Sequence, residues 1–220
     1  MPLTKGDFIE IEFIGNLQNG EVFDSNISEE LKKINPNFNK NQAKPFTLCL
    51  GESMFLKGVE DYLVGKEIGE YVIELTADKA FGNRDTKLIS KVPLKIFHEQ
   101  KINPIPGSAF NFDGKIGKIL TTSGGRVLVD FNNPLAGKDI IYKVKVLRKI
   151  NDLNKKASAL NEFLFRKEID FTINDKKLTL KLDKQMSQFA ILFKDKYKDM
   201  LGLDLEVDEI EEKPKASQKK

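Results

Sequence analysis

The sequence predicts an α+β fold built from several small parts, and three observations carry that expectation. Short stretches alternate with the period of a half-buried strand, as where Ile9, Ile11 and Phe13 are separated by Glu10 and Glu12. Helical spacing is confined to brief runs such as Phe55, Val59 and Leu63. From Asn151 the pattern changes to helix, strand, strand, helix. A chain of 220 residues has room for one large domain or two to three small ones. With 40% hydrophobic and 31% charged residues, most of its length is expected to fold.

Taken in order, Asn19-Gly20 accepts positive φ and turns the first strand back into Glu21-Val22-Phe23-Asp24. Ser28, followed by Glu29 and Glu30, predicts a short capped helix. The Asn/Pro/Lys-rich run from Asn35 to Lys44 predicts a surface loop. Phe46, Leu48 and Leu50 share one face of the next strand, with Cys49 on the other as a packed thiol. A helix is expected over Met54 to Leu63, closed by Gly65. Tyr71, Ile73 and Leu75 then alternate with Val72 and Glu74.

Lys115 to Thr122 and Arg126 to Phe131 are strand-like runs joined through Ser123-Gly124-Gly125. Ile116, Ile119, Leu120, Val127, Val129 and Phe131 are the expected core of this small β unit. So thin a unit leaves apolar surface available to a client chain. Its seven basic and four acidic residues between positions 85 and 137 would not repel an acidic one. Another strand is expected over Asp139 to Val146. Beyond Asn151, Leu153, Ala157, Leu160 and Leu164 have helical spacing, and strands over 169–173 and 178–182 flank a hairpin at Asn174 to Lys177. Met186, Phe189, Ala190, Phe193, Tyr197, Met200 and Leu201 form the stripe of one further helix, closed by Gly202. This α-β-β-α part carries more large apolar side chains than it can hide. It is therefore expected to bury surface against a second copy of itself, as a homodimer, or against the other domains. Asp204 to Lys220 is expected to be a solvated, mobile tail.

The charge balance, 36 Lys and Arg against 33 Asp and Glu, gives +3 and does not argue for a nucleic-acid partner. Lysines of the last unit are interspersed with acids and lack a recognised motif. A single cysteine excludes an internal disulfide framework. Met1 to Asp7 lacks the apolar run of a signal peptide, and no window approaches about 18 apolar residues. A cytoplasmic protein with no membrane span is expected. His98 is the only histidine, so no histidine cluster for a metal is expected, nor any other cofactor.

The order of landmarks is specific. Phe8 to Gly15, then Asn19-Gly20-Glu21-Val22-Phe23-Asp24-Ser25, then Leu50-Gly51 through Val59-Glu60, then Glu74 through Ala80-Phe81-Gly82 resembles the FKBP-type peptidyl-prolyl isomerases. The resemblance implies an antiparallel half-barrel floored by a short helix. The last strand of such a domain arrives here only after an insertion of about fifty residues. Its flanks, Val92 to Phe97 and Asn133 to Lys138, resemble the SlyD-like branch, whose insert-in-flap domain binds unfolded chains. The fuller resemblance is to archaeal long-type FKBP isomerases. It divides the chain into an isomerase domain (1–84 and 138–152), an inserted chaperone domain (85–137), a C-terminal α-β-β-α domain (153–203) and a tail (204–220).

Residue by residue, the resemblance implies catalytic roles for Phe13, Asp24, Phe81 and Tyr142, with Phe23, Phe46, Phe55, Leu56, Val59 and Ala80 binding substrate. Family members commonly have tyrosine where Phe13 and Phe81 stand, and many eukaryotic ones have tryptophan where Val59 stands. The proline slot survives these changes, whereas strong binding of macrolide inhibitors is not implied. The expected partners are X–Pro peptides and unfolded polypeptides. A chaperone or assembly scaffold that keeps the fold without turnover is the alternative.

Overall fold

The structure is a computed structural model that describes residues 1–39 and 43–210. Parts of the expected 35–44 loop and of the expected tail lie outside the described residues. The chain forms two compact units: Met1–Asn16, Val22–Ile73 and Tyr142–Lys220 make the first, and Leu17–Glu21 with Glu74–Ile141 make the second. The α+β class holds. No helix among the described residues is long and apolar enough to cross a membrane.

The principal sheet contains β1 (Phe8–Leu17), β2 (Val22–Ser25), β3 (Phe46–Cys49), β4 (Glu70–Leu75) and β9 (Ile140–Lys149), in the order β2-β1-β9-β4 with β3 also pairing β1. Ile9, Ile11 and Phe13 are buried on β1, while Ile140, Tyr142, Val144 and Val146 form the buried row of β9, as the period-two alternation dictates. The antiparallel register sets Gly15 opposite Asp24 and Ile11 opposite Phe46.

Two helices of this unit begin differently from expectation. In α1 (Ser28–Ile34) the cap is Ile27, not Ser28, because the Ser25 hydroxyl oxygen accepts the Ile27 N–H at 3.0 Å. Helix α2 (Lys57–Leu63) starts at Lys57 instead of Met54. The buried Glu60 carboxylate explains the delay: it accepts backbone N–H groups from Gly51 (2.8 Å), Ser53 (3.2 Å) and Phe55 (2.7 Å). Those amides hold the preceding segment in a turn, with Ser53 at φ 55°.

The same unit carries α4 (Leu153–Phe165), β10 (Phe171–Asn174), β11 (Lys177–Leu182), α5 (Lys184–Ile191), α6 (Lys194–Leu201) and β12 (Asp204–Glu209). Asp152 and Asp183 cap α4 and α5 through the N–H groups of Lys155 and Met186, each at 2.9 Å. Ala157, Leu160, Leu178, Leu180, Ala190, Tyr197 and Leu205 are part of one buried cluster among these elements. Two expectations are corrected. The single second helix is two, α5 and α6, divided at Leu192 and Phe193. The start of the tail is a strand: β12 runs parallel to β11, with Leu205 beside Leu178 and Val207 beside Leu180. Its acids occupy the exposed positions, where Glu206 meets Lys177 at 2.6 Å and Asp204 meets Lys198 at 2.7 Å. An acidic composition thus concealed a period-two strand.

In the second unit β5 (Ile89–Pro93), α3 (Leu94–Glu99), β6 (Ala109–Phe112), β7 (Lys115–Ser123) and β8 (Arg126–Asp130) form a sheet in the order β5-β8-β7-β6 and a covering helix. Phe97 from α3 is buried with Ile119, Val127 and Val129. Phe112 meets Phe97 at 5.8 Å and Phe131 at 5.3 Å, both edge-on. The expected core is corrected at Ile116, which is 61% exposed because strand alternation puts Gly117 and Ile119 on the buried face of β7 and Ile116 on the other. Leu120 is half-buried where the register slips between Ile119 and Thr121.

Gly117 is where this small core is tightest. A Cβ there would stand 2.6 Å from Val129 Cγ1 and 2.8 Å from Phe131 Cε1. Gly117→Ala is expected to destabilise the second unit by about 1–3 kcal/mol, the usual cost of overpacking. Amide hydrogen exchange along β7 and β8 should quicken; unchanged protection would mean that the rings have room to move.

Candidate functional site: an aromatic cradle on the principal sheet

β1, β2, β3, the turn before α2 and β9 each contribute one aromatic residue to a cluster in the first unit. Phe13 stands 4.8 Å from Phe55 and 6.0 Å from Tyr142, ring centre to ring centre. Phe55 lies 5.4 Å from Tyr142 and 5.8 Å from Phe46, while Phe23 meets Tyr142 edge-on at 5.7 Å. These tilted and edge-on approaches are those that ring quadrupoles favour. Phe13 and Tyr142 are buried, whereas Phe23, Phe46 and Phe55 are half-buried and leave apolar ring surface accessible.

The polar part of the cradle is one pair. The Tyr142 hydroxyl donates to Asp24 Oδ2 at 3.0 Å. Burial pushes the Asp24 carboxyl above its ordinary value, against the opposing pull of hydrogen bonds from Tyr142 and the Ser25 N–H. Burial likewise raises the Tyr142 phenol, helped by the nearby Asp24 charge, so Tyr142 remains a donor at neutral pH.

Several supporting residues carry no sequence signal of the kind that marked the rings. The Ser25 hydroxyl donates to the Phe13 carbonyl at 2.8 Å. Asn26 accepts the Phe13 N–H at 2.8 Å and donates to the Ile11 and Lys44 carbonyls. Glu60 fixes the backbone at Phe55. At Gly15 a Cβ would fall 2.8 Å from Phe23 and 3.0 Å from Tyr142, so the missing side chain lets both rings close on β1.

Phe13, Phe23, Asp24, Phe46, Phe55 and Tyr142 are therefore brought together. Val59 is fully buried on α2, and Leu56 is the half-buried cap of that helix. Ala80 and Phe81 belong to the second unit, where they follow a short 3₁₀ turn over Ala77–Lys79 and are half-buried. Cys49 is buried, and burial together with the Glu52 and Glu60 carboxylates pushes its thiol up to about 12, which leaves no thiolate nucleophile. Among the described residues no group of three or more His, Cys, Asp or Glu is placed to hold a metal ion.

Two family models match: "FKBP-type peptidyl-prolyl cis-trans isomerase" over residues 2–93 and "FKBP26, IF domain" over residues 90–135. The short-type peptidyl-prolyl cis-trans isomerase of Methanocaldococcus jannaschii is 28% identical over 145 residues, 66% of this chain and 92% of that protein. The FKBP-type 16 kDa peptidyl-prolyl cis-trans isomerase of Escherichia coli K12 is 32% identical over 114 residues, 49% of this chain and 76% of that protein. The isomerase SlyD of Aeromonas hydrophila is 26% identical over 143 residues, 63% of this chain and 60% of that protein. These matches define an isomerase. The chain belongs to the FKBP-type peptidyl-prolyl cis-trans isomerases.

The Asp24 carboxyl sets a pH signature. Its folded-state pKa lies above the unfolded value, so the folded protein holds this proton more tightly. The contribution to stability is present below the ordinary carboxylate value of 3.8, falls as pH rises through the raised value, and is level above it. Asp24→Asn, which keeps an acceptor for Tyr142, is expected to remove that fall. It should also lower kcat/KM by about tenfold, or about 1.4 kcal/mol. Urea unfolding from pH 3 to 7 beside a peptide isomerisation assay checks both; a variant with wild-type turnover would take Asp24 out of the reaction.

Proposed function

We propose that this isomerase accelerates X–Pro rotation in unfolded or partly folded polypeptides and also holds such chains as a folding chaperone. The observation that carries the first half is the five-ring cradle with its part-buried Asp24–Tyr142 pair. Rotation about an amide meets a barrier of about 18–20 kcal/mol because it breaks C–N resonance. For X–Pro the two isomers lie within about 1 kcal/mol, so the difficulty is speed. Water favours the planar, charge-separated imide over the twisted one. An apolar slot withdraws that preference, and contacts to the prolyl ring hold the bond part-way rotated. Phe13, Phe23, Phe46 and Phe55, with Leu56 and Val59, supply the slot in this reading. Tyr142, its hydroxyl held by Asp24, supplies the slot's polar edge. Ala80 and Phe81 are assigned to the same reaction from the family motif.

The chaperone half is assigned to an inserted domain over residues 85–137, of the SlyD-like kind. Ile96, Ile105 and Ile116 are 44%, 56% and 61% exposed there, which offers an unfolded chain apolar surface. The ends of the insertion lie together: β5 and β8 pair from Ile89 opposite Asp130, and the Phe131 N–H donates to the Leu88 carbonyl at 2.9 Å. Arg84 forms an ion pair with Asp130, and Asn132 is bonded to both backbone groups of Asp85. Residues 88–131 can therefore be replaced by a short Gly/Ser linker. Such a variant is expected to isomerise a proline tetrapeptide within about twofold of the parent rate while slowing proline-limited protein refolding about tenfold or more. Protease-coupled and refolding assays measure the two. If the parent turned over no tetrapeptide, the non-catalytic scaffold would replace the isomerase reading; unimpaired refolding by the variant would remove the division of labour.

Residues 153–203 with β12 complete a long-type architecture, and we assign them a homodimer contact in a cytoplasmic protein that engages neither nucleic acid nor membrane. Phe189, Ile191 and Leu192 support the contact: they are 46%, 51% and 75% exposed, and Phe189 stacks edge-on with Phe193 at 4.9 Å. Leu192→Asp is expected to weaken self-association at least about tenfold in sedimentation equilibrium. A monomeric parent at the same concentration would dispose of the dimer.

A further inference from the structure

The first unit contains a groove of about 520 Å³ that the rings alone do not make. One wall holds Phe13 and Phe46 of the cradle, and the other is the outer face of α4. Lys155, Ala159, Glu162 and Arg166 recur along α4 and its cap at helical spacing and line the groove. The opposite side of the same helix, with Ala157, Leu160 and Phe165, is buried in the C-terminal cluster. Helix α4 therefore has two partners. Its inner face holds its own domain together, and its outer face extends the cradle.

The charges in the groove do not cancel. Glu10 is neutralised by Arg148 at 2.7 Å, and Glu162 by Lys44 at 3.0 Å. The second of these ion pairs joins the chain before β3 to α4 across the groove. Lys155 and Arg166 are exposed, and no acidic partner for either side chain occurs among the described residues. The Arg166 guanidinium lies over the Phe163 ring, 5.3 Å from its centre. The groove thus combines the rings of Phe13, Phe46 and Phe163 with two cations that have no acidic partner among the described residues. From Lys155 to Arg166 the helix extends about 16 Å at about 1.5 Å per residue. An extended peptide covers that length with about five residues at about 3.3 Å each.

We infer that this groove binds the stretch of substrate chain adjoining the X–Pro bond, and that it favours stretches carrying Asp or Glu. The inference rests on the isomerase reading for what occupies the cradle, and it gives the C-terminal domain a part in choosing substrate. Charge complementarity selects an acidic segment over a basic one, and Phe13 and Phe46, shared by cradle and groove, make the two sites continuous.

The test uses the full chain and labelled peptides of about twelve residues with one central proline, differing only in flanks rich in Glu, Ser or Lys, followed by fluorescence anisotropy. The Glu-flanked peptide is expected to bind about tenfold more tightly than the Lys-flanked one at about 50 mM salt, with the gap closing at about 500 mM. In Lys155→Glu/Arg166→Glu, which alters two exposed side chains, the order of the peptides should reverse. Equal affinities in the parent, or an unchanged order in the double variant, would overturn the inference. Turnover of a proline tetrapeptide by the parent is measured alongside. Turnover without charge preference removes the groove and leaves the isomerase; charge preference without turnover leaves the groove and removes the isomerase.

Discussion

The cradle depends on Tyr142. A phenol that is 2% exposed must have a partner for its hydroxyl, because a buried unsatisfied donor costs about 1–3 kcal/mol. Asp24 provides the acceptor, and in doing so is itself drawn out of water. The ring of the same residue then touches Phe13, Phe23 and Phe55. Neither the polar nor the aromatic half of the site is complete without β9 lying beside β1. That neighbourhood brings residue 142 against residues 13 to 24, and the close approach at Gly15 shows how little space is left. An insertion of any length ahead of β9 is compatible with the cradle provided that β9 still reaches this place in the sheet.

How much of this the sequence disclosed follows from how each feature is encoded. Alternation on β1 and β9 is periodic, so the buried rows could be read directly, and the aromatic residues stood out at matching points along them. Glu60, Ser25 and Asn26 were not legible as supports. Their work consists of single hydrogen bonds to backbone groups elsewhere in the unit, and such bonds leave no period. Nor does anything in a sequence say that a glutamate on an otherwise ordinary helix will be 1% exposed. The Asp24 side chain was recognisable as a site residue, but its bond to Tyr142 spans 118 positions and is a property of the sheet order alone.

At two places composition and strand phase point in opposite directions, and phase decides the structure. Asp204 to Glu209 looks acidic and therefore solvated, yet Leu203, Leu205 and Val207 keep a period of two through it and pack on the C-terminal cluster. Ile116 belongs to an apolar run, yet strand phase puts Ile119, Val127 and Val129 inside and leaves Ile116 in water. The division of α5 from α6 is a harder case. The stripe from Met186 to Leu201 continues across it, and Leu192 and Phe193 contain neither glycine nor proline to announce a break. Tertiary packing decides it, with Ala190 and Tyr197 buried in the same cluster from the two helices.

A slot that takes a single prolyl ring, as proposed for the cradle, has a limited grip on a flexible chain. Burying a side chain of that size contributes about 1.5–3 kcal/mol, against the entropy of ordering the backbone on either side of it. Turnover gains only from contacts that are stronger when the imide is twisted, and the slot has few atoms with which to make them. Remote contacts change that balance. Binding energy gathered several residues from the proline can hold the segment in register while the central bond rotates, without the groove touching that bond. Helix α4 is suited to this because its inner face is anchored in a core of its own, so its outer face presents Lys155 and Arg166 from a rigid element instead of a loop. With the proposed groove, the C-terminal addition would lengthen the grip on substrate beside the rings themselves.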